Sequence, residues 1–530
     1  MKILIVESPT KSKTIKKFLK GYITLATYGH LLDLPTKSFG IYLKNNRIEA
    51  KYIPLKGKKR IIEIIKNLAS KSEQIIIASD PDREGEMIAY EIKMILPNTE
   101  HTKIKRIFLH EIVPSAIFEA LKNLSEINES LVNAQKGRRY LDRIFGYSIS
   151  PLLWKIKKNL SAGRVQSSVL RIIIEREEEI KNFKKEEYFQ IYLLLKGFPV
   201  KAILADKNFK PLNLSKEKLE EIKKEIFKIK NLVLEKIIEE EKKIYPPLPL
   251  DTENLQRLAS QFLKFAPKKT MFLAQKLFES GFITYHRTDS HNINKNFSLK
   301  IKDFINQNYK QSYFSFPRYK KEKNSFEAHE AIRPTFLQKP KLSGDFLKLW
   351  ELIFMITISS HFKPLQYLET KYIFSTKSFY FFSINKSLVF DGFSIVYPVK
   401  EKFLPKIQTK EGEEFPVLDF KIKKIETKPV PRFTEASLIK KMKELGIGRP
   451  STYVPTIEIL KKRKYVIKEK SFLKPTDLGY KVYQFLKENY PDLIDLKFTA
   501  LMEKKLDEIA LNKLDYQRFV IDFWQKLKLT

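Results

Sequence analysis

Acidic side chains follow two apolar runs near the N-terminus, in a pattern that could bind a divalent metal ion. Glu7 comes directly after the strand-like run 2–6, and the acidic loop 80–86 follows a second such run at 74–79. Because the carboxyl ends of parallel strands meet at one edge of a sheet, we expect these acids to lie close together. Mg²⁺ prefers carboxylate oxygens, whereas capping of the following helix would explain only one or two acids. The spacing therefore favours a metal site formed by Glu7, Asp80, Asp82 and Glu84.

A tyrosine and an arginine further along the chain could attack and neutralise a phosphate. The run 282–285 is typical of a strand, and Arg287, two residues beyond Tyr285 in extended chain, would project to the same side. A tyrosine hydroxyl, with a pKa of about 10, needs cationic neighbours to act as a nucleophile. A Tyr–Arg pair that stabilises a sheet is the ordinary alternative, but the acidic loop in the same chain favours the chemical interpretation.

The elements around these residues predict an α/β domain followed by helical units. A strand, a polar turn at Ser8 and a helix that stops at Gly21 are the start of a doubly wound sheet. Two later helix–helix–strand segments, 252–285 and 434–467, are typical of winged-helix units. Between them and the N-terminal part, the proline-rich run 245–250 marks the clearest boundary.

Length and charge limit the class of protein. A chain of 530 residues is long enough for roughly three to four domains. The 99 Lys and Arg against 62 Asp and Glu give a net charge of +37, which indicates a polyanionic partner. Nucleic acid is favoured over an anionic membrane, because no lipid-binding amphipathic segment stands out. A Lys-rich or heat-adapted surface is the alternative, but such surfaces are usually balanced in sign.

The absence of cysteine excludes disulfides, thiol nucleophiles and thiolate zinc sites. No stretch has the eighteen or so apolar residues that a membrane span needs, and the N-terminus has too short an apolar run for a signal peptide. We therefore expect a soluble cytoplasmic protein.

Three further segments are weak signals when each is taken alone. They are Gly29-His30 in a turn, the basic helix 133–143, and the turn 161–167 that leads into a helix at 168–180. Free amides at a helix N-terminus bind anions, which favours phosphate at the last of these. A lone His is more often structural than catalytic, and a solvated basic face is the alternative explanation for the other two segments.

Taken together, these motifs identify a family. The acid pattern resembles the toprim domain of topoisomerases, bacterial primases and some nucleases. The full ordered set resembles the bacterial members of the type IA DNA topoisomerase family and covers nearly the whole chain; its motifs are 7–11, 29–30, 80–86, 161–166, 282–290, 329–334 and 448–453.

The resemblance implies an α/β plus α+β multidomain fold, in which a toprim (Rossmann-like) domain joins a torus with a β-rich arch and two winged-helix-like domains. On this basis the toprim domain would span 1–125 and the domain carrying the nucleophile 251–369. The arch would combine 186–250 with 370–426. The second winged-helix-like domain would combine 126–185 with 427–530.

The resemblance also implies the chemistry: ATP-independent relaxation of negatively supercoiled DNA by a monomeric, nucleoid-associated isomerase. Tyr285 would attack one strand, remain joined to the 5′-phosphate and release a 3′-hydroxyl that Glu7 protonates. Lys11 and Arg287 would neutralise phosphate charge. Mg²⁺, held by Asp80 and Asp82 with Glu7 or Glu84, would serve rejoining more than cutting, and neither zinc nor ATP would be needed.

The same resemblance assigns the remaining site residues. His329 and Arg333 would support the catalytic site, with His30 nearby. His30, Arg287 and Arg333 would also contact DNA, together with residues that line the groove for single-stranded DNA: Arg138, Arg139, Asp142, Arg143, Trp154, Lys155, Ser161, Ala162, Gly163, Arg164, Val165, Gln166, Arg449 and Ser451.

The sequence departs from the family in three places. Most relatives end in four-cysteine zinc ribbons, so this chain is expected to be a short form without them. His286 stands where Met or Pro is common, and Gly137 replaces a better helix former. The main alternative is another toprim enzyme, a primase or nuclease, which would lack the Tyr285 strand. A non-enzymatic DNA-binding protein would not need the acidic loop.

Overall fold

The structure is a computed structural model that describes residues 1–309, 311–318 and 330–529. Its N-terminal part contains a parallel sheet with strand order β2-β1-β7-β8. Its elements are β1 (Lys2–Val6), α1 (Pro9–Lys16), β2 (Tyr22–Ala26), β3 (Leu32–Asp33), β4 (Ile41–Lys44), β5 (Arg47–Ala50), β6 (Ile53–Pro54), α2 (Lys59–Ser70), β7 (Gln74–Ile77), α3 (Arg83–Ile95), β8 (Ile104–Arg106) and α4 (Pro114–Lys122). The predicted strands at 2–6 and 74–79 are thus both present and adjacent.

The two faces of this sheet belong to different cores. Ile3 and Ile5 point to one face, where α2 and α3 cover them. Leu4 and Val6 point to the other face, whose core also includes α1 and continues to Tyr285 and the helices around it. The nucleophile candidate is therefore packed into the second face of the toprim sheet.

Two long helices, α5 (Glu129–Ile149) and α6 (Arg164–Lys181), follow. The chain then enters a closed six-stranded barrel with order β10-β13-β12-β11-β14-β9. Its strands are β9 (Glu187–Leu195), β10 (Phe198–Ala205), β11 (Asn231–Ile244), β12 (Leu365–Ser375), β13 (Tyr380–Phe390) and β14 (Glu414–Glu426), and α7 (Lys216–Ile226) packs against their core. The strands that flank the long insertion, β11 and β12, pair with each other, and the boundary predicted at residue 370 falls inside β12.

The insertion between β11 and β12 carries Tyr285 and is mainly helical. Asp251 caps its first helix, as the sequence predicts. Its helices are α8 (Thr252–Leu263), α9 (Pro267–Glu279), α10 (Lys295–Asn308) and α11 (Gly344–Ser359). The predicted strand at 282–285 is wrong, because this segment forms only an isolated bridge between Ile283 and Pro334.

The C-terminal part forms one core with α5 and α6. The predicted helix–helix–strand unit is present, and a second strand completes a hairpin. The elements are α12 (Glu435–Glu444), α13 (Tyr453–Lys462), β15 (Val466–Glu469), β16 (Phe472–Pro475), α14 (Asp477–Asn489), α15 (Leu496–Ala510) and α16 (Tyr516–Leu529). Within the described residues, no helix has the length and apolar character needed to cross a membrane.

Gly281 lies where the Tyr285 insertion packs against the backbone of Ile112 in the N-terminal domain. Its φ is +81°, and a Cβ there would overlap the carbonyl oxygen of Ile112. Gly197 has a similar φ of +73°, but a Cβ there would meet nothing within 4 Å. Both positions would strain an L-residue, by about 1–2 kcal/mol, and only Gly281 adds a clash with backbone.

We expect Gly281→Ala to cost ~1–3 kcal/mol more than Gly197→Ala, because the backbone of one domain must move away from the other. Chemical denaturation of the two variants measures this difference. Equal losses of stability in the two variants would show that the backbone at Ile112 can move away without a cost in folding free energy.

Candidate active site

A buried lysine holds two carboxylates together at the edge of the toprim sheet. Lys11 Nζ lies 2.8 Å from Glu7 Oε1 and 2.7 Å from Asp80 Oδ1. Glu7 follows β1, Asp80 follows β7, and Lys11 lies on α1, whose first turn is capped by Ser8. The backbone N–H of Asp80 also donates to Glu7 Oε2, at 2.6 Å. The two strand ends are thus joined by one ammonium group that is fully shielded from solvent.

The two acids of this triad differ in proton affinity. Burial and the negative charge of Asp80 raise the pKa of Glu7 well above its usual range. Burial alone would also raise the pKa of Asp80, but the Lys11 ammonium and the Arg287 guanidinium hold it well below the usual value. Glu7 is therefore the acid that can carry and donate a proton, and Asp80 carries the negative charge.

Tyr285 reaches into the acidic loop from the inserted helical segment. Its hydroxyl donates to Asp82 Oδ2 at 2.6 Å, and its backbone N–H donates to the carbonyl of His110 at 2.8 Å. Asp82 uses its other oxygen to cap α3, accepting from the N–H of Gly85 at 2.8 Å. The helix start therefore fixes the carboxylate that faces the phenol.

Arg287 pairs with the same loop rather than with Tyr285. Its Nη1 lies 2.9 Å from Glu84 Oε2 and 3.6 Å from Asp82 Oδ2. Burial and the charge of Asp82 raise the pKa of Tyr285 well above 10, against a smaller opposing effect of Arg287. Arg287 lowers the pKa of Tyr285, as expected of a cationic neighbour, but burial and Asp82 outweigh this effect, so Tyr285 is a neutral phenol that donates to Asp82.

His286 is buried beside Tyr285 and is neutral. Its ring packs against the rings of Tyr285 and Phe278, and burial lowers its pKa to about 3. Its Nδ1 has no hydrogen-bond partner among the described residues. The imidazole therefore acts here as an apolar packing group.

The predicted metal ligands are engaged with partners from the protein itself. Lys11 pairs with Glu7 and Asp80, and Arg287 pairs with Glu84. The Tyr285 hydroxyl donates a hydrogen bond to Asp82. Within the described ranges, no three His, Asp or Glu side chains form a metal-binding group. The donor chemistry nonetheless fits Mg²⁺, since all four side chains offer carboxylate oxygens along one sheet edge. An ion bound by Asp82 and Glu84 would replace two present contacts of these carboxylates: the hydrogen bond from the Tyr285 hydroxyl and the ion pair with Arg287.

Glu503, which the sequence did not single out, organises two of the predicted DNA-binding arginines. It accepts from Arg138 Nη2 at 2.7 Å and from Arg164 Nη2 at 2.6 Å. Arg164 also lies 3.5 Å from Asp142, and its Nη1 has no hydrogen-bond partner within the described residues. Burial alone would raise the pKa of Glu503, but the arginines around it hold that pKa well below its usual range.

Asp507, one turn further along α15, links this arginine cluster to the acidic loop. It lies 2.7 Å from Arg83 Nη2 and also binds Arg449. Arg83 stands between Asp82 and Glu84 in the chain. The acidic loop and the predicted DNA groove are therefore joined by one carboxylate. The sequence did not predict the roles of Glu503 and Asp507, because acids on one face of a C-terminal helix do not indicate which distant arginines they will bind.

The other arginines of α5 bind the end of β3 and the loop that follows it. Arg139 binds both oxygens of Asp33, and Arg143 donates to the carbonyl of Pro35 at 2.7 Å. Trp154 is about half exposed and donates from Nε1 to the carbonyl of Leu160 at 3.0 Å, and Lys155 is exposed. Of these side chains, Trp154 contacts the segment that leads into the turn before α6.

The turn before α6 is fixed by its neighbours. The N–H of Ser161 donates to the hydroxyl of Tyr465 at 2.9 Å. The helix begins at residue 164, not 168 as predicted, with Gly163 as its cap. The remaining predicted residues are Ala162, which is buried, Val165 and Gln166, which are partly buried, and Ser451, which is partly buried in the turn before α13.

Two predicted supporting residues pair with acids other than those of the acidic loop. Arg333 is buried, stacks on Phe297 and pairs with Glu330 and with Glu111 of the toprim domain. His30 binds the buried Glu91 at 2.7 Å. His329 lies outside the described residues. The structure thus brings together Glu7, Lys11, Asp80, Asp82, Glu84, Tyr285 and Arg287, and it places Arg333 and His30 in neighbouring contacts.

A toprim sheet whose acidic edge faces a tyrosine, joined to a β-barrel arch and a winged-helix unit, defines a class of enzyme that acts on DNA topology. The family model for DNA topoisomerase matches residues 126–521, and that for the Toprim domain matches residues 2–112. The chain belongs to the type IA DNA topoisomerases.

Relatives of full length support this assignment. The chain is 40% identical to DNA topoisomerase 1 of Aquifex aeolicus, over 99% of this chain and 98% of that protein. It is also 40% identical to DNA topoisomerase 1 of Thermotoga maritima, over 99% of this chain and 84% of that protein. The structure of full-length topoisomerase I from Thermotoga maritima matches with a TM-score of 0.90 at 38% identity, covering 99% of this chain and 89% of that one.

We expect Glu503→Gln to destabilise the fold by about 3–5 kcal/mol, because it leaves buried arginines without their counter-charge. Glu508→Gln, on the same helix, is the control, since Glu508 makes no ion pair within the described part of the chain. Because the folded pKa of Glu503 is depressed, its contribution is present above about pH 4.3 and is lost as pH falls below that value. Denaturant titrations at pH 7 and pH 3 should therefore show a smaller difference between the two variants at pH 3.

Proposed function

We propose that this chain relaxes negatively supercoiled DNA without ATP, by cutting one strand through a 5′-phosphotyrosine link, passing the other strand and rejoining the cut. The observation that carries this proposal is the contact between the Tyr285 hydroxyl and Asp82, beside the triad of Glu7, Lys11 and Asp80. A nucleophile, a proton acceptor and a proton donor stand at one sheet edge.

The cleavage step follows from these positions. The phenolic oxygen of Tyr285 bonds to phosphorus as the bond from phosphorus to the 3′-oxygen breaks. Asp82 takes the phenolic proton, and Glu7, whose raised pKa retains a proton, gives one to the 3′-oxygen. Lys11 and Arg287 neutralise the phosphate charge. Rejoining reverses these transfers, and no ATP is needed because the phosphotyrosine link conserves the energy of the broken bond.

Mg²⁺ would be held by Asp80 and Asp82 with Glu7 or Glu84, and when bound it would neutralise charge and align the 3′-hydroxyl for rejoining. The cluster of Arg83, Arg138, Arg164 and Arg449 exceeds its two organising carboxylates in charge, and Arg164 has an unsatisfied donor. That excess suits a phosphate backbone. Because the groove would hold an unpaired strand, we propose a preference for negatively supercoiled DNA, which unpairs readily, and action as a monomer on the DNA of the cytoplasm.

The first test is plasmid relaxation with Mg²⁺ and no ATP. Wild-type chain should relax negatively supercoiled plasmid, and denatured reactions should show protein on 5′ ends. Tyr285→Phe should abolish both, because only the nucleophilic oxygen is lost, while Tyr42→Phe, an exposed tyrosine on β4, should have no effect. Relaxation that requires ATP, or protein on 3′ ends, would contradict the proposal.

Asp82→Asn tests the proton acceptor. The amide keeps the shape of the side chain but cannot take the phenolic proton, so cleavage of a labelled single-stranded oligonucleotide at pH 7 should slow by roughly 100- to 10,000-fold. The rate should recover as the pH rises towards the pKa of the phenol. Glu63→Gln, an exposed acid on α2, is the control. Normal cleavage with a loss of rejoining alone would assign Asp82 only to the metal.

A further inference from the structure

We propose that Tyr28 is a stacking platform for an unpaired base beside the scissile phosphate, with Lys58 next to it for the DNA backbone. This inference rests on the proposed function and adds a nucleotide subsite to it. Tyr28 takes no part in the chemistry described above, and it stands out because its ring is exposed at the catalytic edge of the sheet.

The position of Tyr28 follows from the ladder between β1 and β2. That ladder continues beyond the strands: the N–H of Thr27 donates to the carbonyl of Val6 at 2.8 Å, and the N–H of Gly29 donates to the carbonyl of Glu7 at 3.0 Å. Tyr28 is therefore held directly beside the backbone of Glu7, at the carboxyl edge where ligands of such sheets bind.

The backbone of Tyr28 is strained and firmly fixed. Its φ is +59°, a left-handed conformation that is uncommon for a residue with a side chain. Lys58 Nζ donates to the carbonyls of Thr27 and Tyr28, at 2.8 and 2.6 Å. On the other side of the turn, Glu91 binds the N–H groups of Leu31 and Leu32 at 2.7 and 3.2 Å.

This strain does not serve packing, because Tyr28 is 64% exposed. Lys58 Nζ lies 5.8 Å from the ring centroid, and the ring remains largely exposed. Strained residues that the surrounding structure holds in place concentrate at ligand sites. An open aromatic face beside an ammonium group is the arrangement by which proteins bind single-stranded nucleic acid, with bases on the ring and phosphates on the cation.

The test uses Tyr285→Phe chain throughout, so that binding is measured without cleavage. The probes are single-stranded oligonucleotides with 2-aminopurine placed in turn at each position around a mapped cleavage site. Tyr28→Gly removes the ring and relieves the strained φ, whereas Tyr28→Phe keeps the ring. Tyr42→Ala, on the exposed hairpin β4–β5, is the matched control.

We expect Tyr28→Gly to weaken binding by about 5- to 100-fold and to remove the fluorescence quenching at one position next to the cut. Tyr28→Phe and Tyr42→Ala should bind like the parent. The Tm of Tyr28→Gly should be no lower than that of the parent, because glycine tolerates this φ.

Two results would overturn the inference: unchanged affinity and quenching in Tyr28→Gly, or a fall in its Tm that accounts for weaker binding. Failure of the proposed function would look different. In that case the wild-type chain would neither cleave nor bind single-stranded DNA, and there would be no bound base for Tyr28 to stack on.

Discussion

The arrangement of the candidate active site depends on one buried ammonium group. A lysine taken out of water costs several kcal/mol unless it is paired, and Lys11 meets this requirement by binding carboxylates at the ends of two neighbouring strands. That pairing fixes Asp80, which begins the acidic loop. Arg106 holds the same loop from below, donating to the carbonyl of Asp80 at 2.8 Å and pairing with Glu86 at 2.6 Å. Asp82 is thereby placed against the Tyr285 hydroxyl and Glu84 against Arg287.

The seam between the toprim domain and the Tyr285 insertion combines apolar packing with exchangeable polar contacts. Tyr285 contributes its ring to the core under β1, while its hydroxyl, Arg287 and Arg333 pair with acids of the other domain. Each of these pairs joins a group that could bind DNA or metal to a group from the facing domain. The contacts between the two domains therefore use side chains that are also proposed to bind DNA or metal.

The sequence predicted the parts of the site that depend on local pattern. The strands before Glu7 and Asp80 and the cap at Asp251 follow from apolar runs and capping residues. The Tyr285 segment was predicted as a strand because its residues favour extended chain, but it is held by contacts with His110 and Arg333 instead. Tertiary contacts of this kind override propensity.

Long-range charge pairing could not be predicted. Tyr285 and Asp82 are 203 residues apart in the chain, and Arg138 and Glu503 are 365 apart. A pattern of residue types shows that such groups exist but not which of them meet. The neutral state of Tyr285 and the organising roles of Glu503 and Asp507 therefore emerged only from the folded chain.

The pairing of β11 with β12 has a mechanical consequence. Ile244 and Leu365 face each other in the ladder, so the polypeptide enters and leaves the Tyr285 insertion at a single point. The barrel to which both strands belong is closed, so each of its strands pairs with a neighbour on both sides. A displacement of the insertion about this point would bend only the end of the β11–β12 pair and would leave the hydrogen bonds between the other strands of the barrel intact.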